Sequence, residues 1–230
     1  MSHSLGVLLF LICLSGCSSN GHQQASAPAG TEFGYLAKTD IDTVTDIHIR
    51  RVENLLKRLA TKLYRRNPLH CEGGTPAIKA CVARLFGPQQ NYPGLQGKRR
   101  TESIRLAFDE HYEGDRVLAL VIGLKTMIAA AYGDKQEFFM LDDLEPQKLY
   151  NSARNIEITV WRLSQYRQAN GELFLISNEL DGKVKNLSFE RLFGELISLQ
   201  DTLAVIIAEK SRRTIKNVIQ RLASAVFLPI

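Results

Sequence analysis

The chain has 230 residues, with 29 Lys+Arg against 24 Asp+Glu for a formal net charge of +5, and is 45% apolar and 23% charged. This ordinary globular composition excludes wholesale disorder and collagen-like or low-complexity repeats, and so modest a charge excess does not by itself demand nucleic acid. A domain near 200 residues buries roughly 70% of its unfolded-chain surface, so the core needs neither a metal nor a disulfide framework.

The first element is Leu5–Cys13, LGVLLFLIC, about nine residues without a charge. At 1.5 Å per residue such a helix cannot cross roughly 30 Å of hydrocarbon, but it has the length of a signal-peptide core. Met1-Ser2-His3-Ser4 precede it, with the α-amine and His3 as the cationic groups. Leu14-Ser15-Gly16-Cys17 follows, then the small polar run Ser18-Ser19-Asn20-Gly21. An aliphatic residue, two small residues and Cys, placed after an apolar core, resembles the lipobox of bacterial lipoproteins. The resemblance covers the first 17 residues. It implies a thioether-linked diacylglycerol on Cys17, cleavage before it with loss of residues 1–16, and acylation of the new N-terminus. Several acyl chains, at about 0.8 kcal/mol per buried CH₂, make a stable anchor where one does not. Ser18, rather than Asp, resembles the outer-membrane sorting signal of enterobacterial lipoproteins. The expected address is the cell envelope: lipid-anchored in the outer membrane and facing the periplasm.

Residues 17–40 read as a lipidated flexible tether of Ser, Gly, Gln, Ala and Pro, with no apolar period until Phe33-Gly34-Tyr35-Leu36. Twenty such residues have an r.m.s. reach of roughly 25 Å. Residues 41–230 read as a single all-helical domain. The helical pattern begins near Thr43. Val52, Leu55, Leu56, Leu59 and Leu63 fall on one face, with Asp40, Asp42 and Asp46 near the start and Arg65 and Arg66 at the end, where they suit the dipole. Asn67-Pro68 stops it. A second helix runs from Thr75-Pro76 to Phe86 with Ile78, Cys81, Val82 and Leu85 inward. Residues 87–98 form a loop. A third helix spans about 100–112, with Ile104, Phe108 and His111 on one side.

Val117–Tyr132 is almost wholly apolar and predicts a central helix buried on all sides, with Gly133 as its C-terminal cap. As a membrane span it would be short and would carry Lys125. An acidic connector, residues 134–145, is expected to pack its aromatics inward and to supply a capping carboxylate before Pro146. Pro146 opens a helix with the stripe Leu149, Ala153, Ile156, Val160 and Leu163, closing at Asn170-Gly171. Residues 172–180 suit a short strand or a helical turn, and Asp181-Gly182 turns the chain. Ser188 caps a last long helix with the stripe Leu192, Leu196, Leu199, Leu203 and Ile206. A further stripe, Ile215, Ile219, Leu222 and Val226, implies either a break at Ser211 or one helix serving two neighbours. The sum is an all-α, irregular bundle of about six or seven helices around a buried apolar helix. No 20–50-residue repeat is visible.

Candidate chemistry is sparse. With Cys13 removed and Cys17 lipidated, Cys71 and Cys81 remain, an even pair that predicts a disulfide in an oxidising compartment; the rival is a metal site with His70, for which the spacing matches no zinc pattern. No metal and no cofactor is expected. His111 lies among Asp109, Glu110, Glu113 and Asp115, carboxylates that could tune an imidazole, but sequence neighbours on a helix point to different faces. The acidic connector lacks D-x-D-x-D-G calcium spacing. Glu102-Ser103 resembles the catalytic Glu-Ser of lytic transglycosylases, but the downstream Gly-Leu-Met-Gln element of that family is missing. There is no nucleophile elbow, P-loop, His-Glu-x-x-His or Rossmann fingerprint.

Basic sets are the most extensive feature. Arg51, Arg58 and Arg65 recur every seven residues as one ridge, among Arg50, Lys57, Lys62 and Arg66; Lys98, Arg99, Arg100 and Arg105 form a second set, and Lys210, Arg212, Arg213 and Lys216 a third. They read either as solvated helix faces or as a docking surface for an acidic partner, phospholipid head groups or lipopolysaccharide phosphates. Aromatics are not interleaved with them, which disfavours nucleic acid. The expected role is a lipid-anchored envelope accessory or scaffold protein that binds a protein or an anionic surface. The alternatives are a glycan-cleaving envelope enzyme, marked by paired carboxylates in a cleft, and an apolar-ligand carrier, marked by an enclosed apolar cavity.

Overall fold

A computed structural model describes residues 38–88, 91–178, 186–218 and 224–230. The leader, Cys17 and the tether through residue 37 lie outside them, as do the Asp181-Gly182 turn and Ile219 and Leu222 of the last stripe. Residues 38–40, expected as tether, already lead into the first helix, with Thr39 as its cap and Asp40 as its first residue.

Helix α1 (Asp40–Arg66) starts earlier than the apolar pattern does, because Thr39 closes a capping box: its side chain accepts the Asp42 N–H, while the Asp42 carboxylate accepts the Thr39 N–H. Its stripe, Val52, Leu55, Leu56, Leu59 and Leu63, is buried. Asp46 does more than complement the dipole. It is buried, accepts the Phe138 N–H at 2.9 Å and pairs with Lys38. A 3₁₀ turn carrying Pro76, Thr75–Ala77, leads into α2 (Ile78–Phe86). Cys71 and Cys81 form the expected disulfide, with Cα atoms 6.0 Å apart and both side chains buried. Replacing both by Ser should therefore lower stability by about 2–3 kcal/mol, the loop-closure contribution for a ring this small, and thermal unfolding reads it directly.

Helix α3 (Arg100–Leu106) is shorter than its apolar pattern suggests. The guanidinium of buried Arg116 donates to the carbonyls of Ala107 and Asp109, at 3.1 and 2.7 Å, and holds them out of a continuing helix. Helix α4 (Arg116–Ala131) is the buried centre, packed by α1, α2, α3 and α5. It ends as its sequence requires: Gly133 takes a positive φ of 67°, its N–H reaches Ala130 O, and the Asp134 N–H reaches Ala129 O at 2.8 Å, a Schellman motif. No helix among the described residues is long and apolar enough to cross a membrane.

Of the connector's aromatics only Phe138 packs inward; Phe139 and Met140 point outward, contrary to the expectation. Glu145 makes no capping hydrogen bond and pairs with Arg213 instead. Helix α5 (Pro146–Gln165) ends five residues before Asn170, where Tyr166 turns extended to join an aromatic cluster with Phe108, Trp161 and Phe174. An isolated antiparallel bridge, Arg167 to Leu173, follows.

Helix α6 (Ser188–Ser211) lies along α5 and against α1. Ser188 is not its side-chain cap; that hydroxyl donates to Asn186. The helix breaks at Ser211, and the described residues beyond it form no further α-helix. They run back over α5, where three amides spaced by four hold the backbone. Gln147 accepts the Lys216 N–H, Asn151 donates to Pro229 O, and Asn155 both donates to Leu228 O and accepts its N–H. Along this strap Ala225 and Phe227 are buried and Val226 is out, an extended alternation rather than a helical face. The described residues thus form an all-α irregular bundle of six α-helices, one of which, the apolar α4, is buried at its centre.

Candidate functional site

Heptad spacing keeps Arg51, Arg58 and Arg65 on nearly one line of α1, and all three are exposed beside the buried stripe. Helix α6 runs antiparallel along this side and is fastened to it at two places. Arg51 donates to the Glu195 carboxylate at 2.7 Å. Further along, Lys62 hydrogen-bonds the Ser188 hydroxyl and lies over the Phe189 ring, 5.0 Å from its centroid. Between the two fastenings, each helix adds an exposed cation, Arg58 from α1 and Arg191 from α6. Burial first, and then the charges of Arg191, Arg58 and Arg66, push the Lys62 amine below the usual lysine range. A concentration of positive charge therefore bears on this seam.

The seam holds a shallow trough of about 590 Å³ lined by Arg51, Arg191, Gly194, Glu195, Ser198 and Leu199. Gly194 forms its open floor, since a side chain there would meet nothing within 4 Å. Glu195, the trough's only lining carboxylate, is already paired with Arg51.

The other basic sets disperse. Arg100 pairs with Asp134 at 3.1 Å, Arg105 lies over the Phe227 ring, and Arg213 holds Asp143 and Glu145. These three cations are engaged within the fold; on the α1 ridge Arg51 pairs with Glu195, whereas Arg58 and Arg65 face outward and α6 adds a fourth arginine, Arg191. Arg191 lies well over a hundred residues away in sequence, and no local spacing pairs it with the ridge.

The remaining candidates find structural work. Asp115 lines a cleft of about 240 Å³ with Arg84, Tyr92 and Tyr112, yet both its oxygens are engaged, one by the Leu118 N–H at 2.8 Å and the other by the Tyr64 hydroxyl at 2.7 Å. Burial holds its carboxyl above the ordinary range. Asp115 is the one carboxylate lining that cleft, so no acid–base pair of the glycosidase kind is assembled there. Glu102 is an exposed first-turn carboxylate of α3, and His111 sits exposed in the turn after it. His70 accepts the Arg116 N–H at 3.5 Å, and Cys71 and Cys81 are bonded to each other. Among the described residues no group of three His, Cys, Asp or Glu could hold a metal ion. A groove of about 190 Å³ beside Phe86 and Lys125 is smaller than the 300 Å³ or so of a typical ligand pocket. No protein-family model, no curated protein and no solved structure matches the chain.

Proposed function

We propose that this chain is an envelope accessory protein, anchored by lipid on Cys17 in the outer membrane and facing the periplasm, which docks an acidic protein partner through the α1–α6 seam. The observation that carries the docking is the exposed quartet Arg51, Arg58, Arg65 and Arg191 along the α1–α6 seam, two of which, Arg51 and Arg191, line the trough, while Arg100, Arg105 and Arg213 of the other basic sets are engaged within the fold. Guanidinium groups suit this role because their planar fork binds carboxylates at two points. The address rests on the lipobox resemblance.

The test is the triple reversal Arg51→Glu, Arg58→Glu and Arg65→Glu. Exposed charges each contribute within about 0.5 kcal/mol, and the Arg51–Glu195 pair adds at most about 1, so the variant should still fold. Photocrosslinking in whole cells from position 198 in the trough should give a discrete protein adduct that the reversal abolishes. In detergent the wild-type complex should weaken with salt, since exposed attraction is screened over roughly 8 Å at physiological ionic strength. An unchanged adduct in the folded triple variant would reduce the ridge to a solvated face. A lipid adduct in its place would make anionic head groups the partner.

A further inference from the structure

The second surface that stands out is an apolar loop tip. Phe139, Met140 and Leu141 are consecutive and 39%, 59% and 97% exposed. A run of exposed apolar side chains is unfavourable in water and signals a contact surface. The tip is fixed from below. Phe138 is buried edge-on against Tyr132, and its N–H is held by Asp46. The turn is closed reciprocally: Asp142 accepts the Phe139 N–H on its side chain and donates its own N–H to Phe139 O, at 2.9 and 2.8 Å. Met140 and Leu141 are thus presented outward by a built turn.

The surrounding acids are matched within the fold. Asp134 pairs with Arg100, Glu137 with Lys38, Asp142 with Lys135, and Asp143 and Glu145 with Arg213. Arg213 serves two of these acids and Lys38 also serves Asp46, so a small negative excess remains and contact with a bilayer must come from the apolar side chains of the tip. The decisive feature is where the chain enters. Lys38, the first described residue, pairs with Asp46 and Glu137 and lies over the Phe139 ring, 4.9 Å from its centroid. Twenty residues separate Cys17 from Lys38. Read from their composition as a tether, these residues would reach roughly 25 Å, so an anchored Cys17 would keep this end of the domain near the bilayer.

We propose that the Phe139–Met140–Leu141 tip inserts into the interfacial layer of the same bilayer that holds Cys17, seating the domain by this end. The inference rests on the lipid anchor proposed above and adds a second, shallow contact to it. It also separates the two surfaces: Arg51 and Arg65 lie roughly 16 and 38 Å along α1 from its start beside the tip, counting 1.5 Å per residue.

The test uses the full lipidated protein. With Cys17 acylated and Cys71 bonded to Cys81, Leu141→Cys supplies the one free thiol for an environment-sensitive fluorophore. Reconstituted in phosphatidylethanolamine–phosphatidylglycerol vesicles, the label should shift to shorter wavelength. Nitroxide-bearing lipid should quench it severalfold more than a label on Ser198→Cys, and Met140→Asp should reverse both effects. A label that stays in water while the protein floats with the vesicles overturns the inserted tip and leaves the anchor intact. A label that is shielded but unquenched by nitroxide lipid overturns it too, because protein then covers the tip. The anchor is judged separately: Cys17→Ser should abolish palmitate labelling and leave uncut precursor, and unchanged labelling would remove the premise.

Discussion

Gly123→Val should lower stability by about 3 kcal/mol, the upper end of the range for overpacking, and the melting temperature by roughly 6–12 °C. A Cβ at Gly123 would lie 2.6 Å from Ile104 Cγ1, 2.7 Å from Ile104 N and 2.9 Å from Arg100 O. Two of these neighbours are backbone, so a change of rotamer does not relieve them. Nor can α3 slide away, for it is tied to α4 at two points: the Arg100 N–H donates to Thr126 Oγ1 at 2.8 Å, and Ser103 Oγ donates to Ala119 O at 2.7 Å. Glycine inside a helix is otherwise unfavourable by about 1 kcal/mol relative to alanine. The sharpest reading is therefore a comparison of two helical glycines. Gly123→Ala should lose stability to collision, while Gly194→Ala, with open space around its Cβ, should gain up to about 1 kcal/mol. Denaturant unfolding followed by circular dichroism gives both. Equal signs would mean that close approach does not govern the α3–α4 contact.

Much of this fold is legible because apolar periodicity records burial. Val52, Leu55, Leu56, Leu59 and Leu63 on α1 and Leu192, Leu196 and Leu203 on α6 are buried as their spacing requires, and the largely apolar run of α4 is buried except at Lys125, Thr126 and Ala129. What the pattern misses are the places where a distant hydrogen bond decides. Nothing local tells Ala107 and Asp109 that Arg116 will take their carbonyls, so α3 reads longer than it is. The last stripe fails for a related reason. Gln147, Asn151 and Asn155 look like the polar face of a helix, but they are the row that holds the chain's last segment extended. In the run Phe138 to Leu141, which has no period, apolar character alone could not separate the one inward residue from three outward ones.

The candidate site was legible in half. Heptad spacing placed Arg51, Arg58 and Arg65 on one exposed line, because helix geometry is local. Arg191 and the bare floor at Gly194 join them only when α6 packs against α1, a long-range event without a local signature. Set beside Arg100, Arg105 and Arg213, which look equally basic in sequence, Arg58 and Arg65 are distinguished by what the others touch, and of the ridge Arg51 alone shares that kind of pairing, with Glu195. Charge runs alone cannot make that distinction.

Asp115→Ala should lower stability by about 2–4 kcal/mol, the sum of a lost helix cap and an orphaned buried hydroxyl. Asp115 caps α4 by accepting the Leu118 N–H, and it is the acceptor for Tyr64, whose side chain is fully buried on α1. Truncation leaves both donors unmatched. Tyr64→Phe in the same background should recover part of the loss, because the orphaned hydroxyl leaves with it; additive effects would show that the two residues are not coupled. The carboxylate's charge is a separate matter. Burial raises the Asp115 pKa above the ordinary carboxylate value, with the hydrogen bonds from Leu118 and Tyr64 and the charge of Arg84 opposing it only in part. Between the unfolded and folded pKa values the native state holds a proton that the unfolded chain has released. This contribution is therefore fully present below the unfolded value and is lost as pH rises through the folded one. Asp115→Asn keeps a capping oxygen for Leu118 and offers its amino group to the Tyr64 oxygen, but it does not ionise. Near pH 4, about the unfolded carboxylate value, it should match the parent, and at about pH 7 it should be the more stable of the two. Urea titrations of the pair at both pH values cancel every other titrating group. An asparagine variant that loses ground as pH rises would mean that the cap and Tyr64 outweigh burial, and that the charge at the head of α4 stabilises the fold.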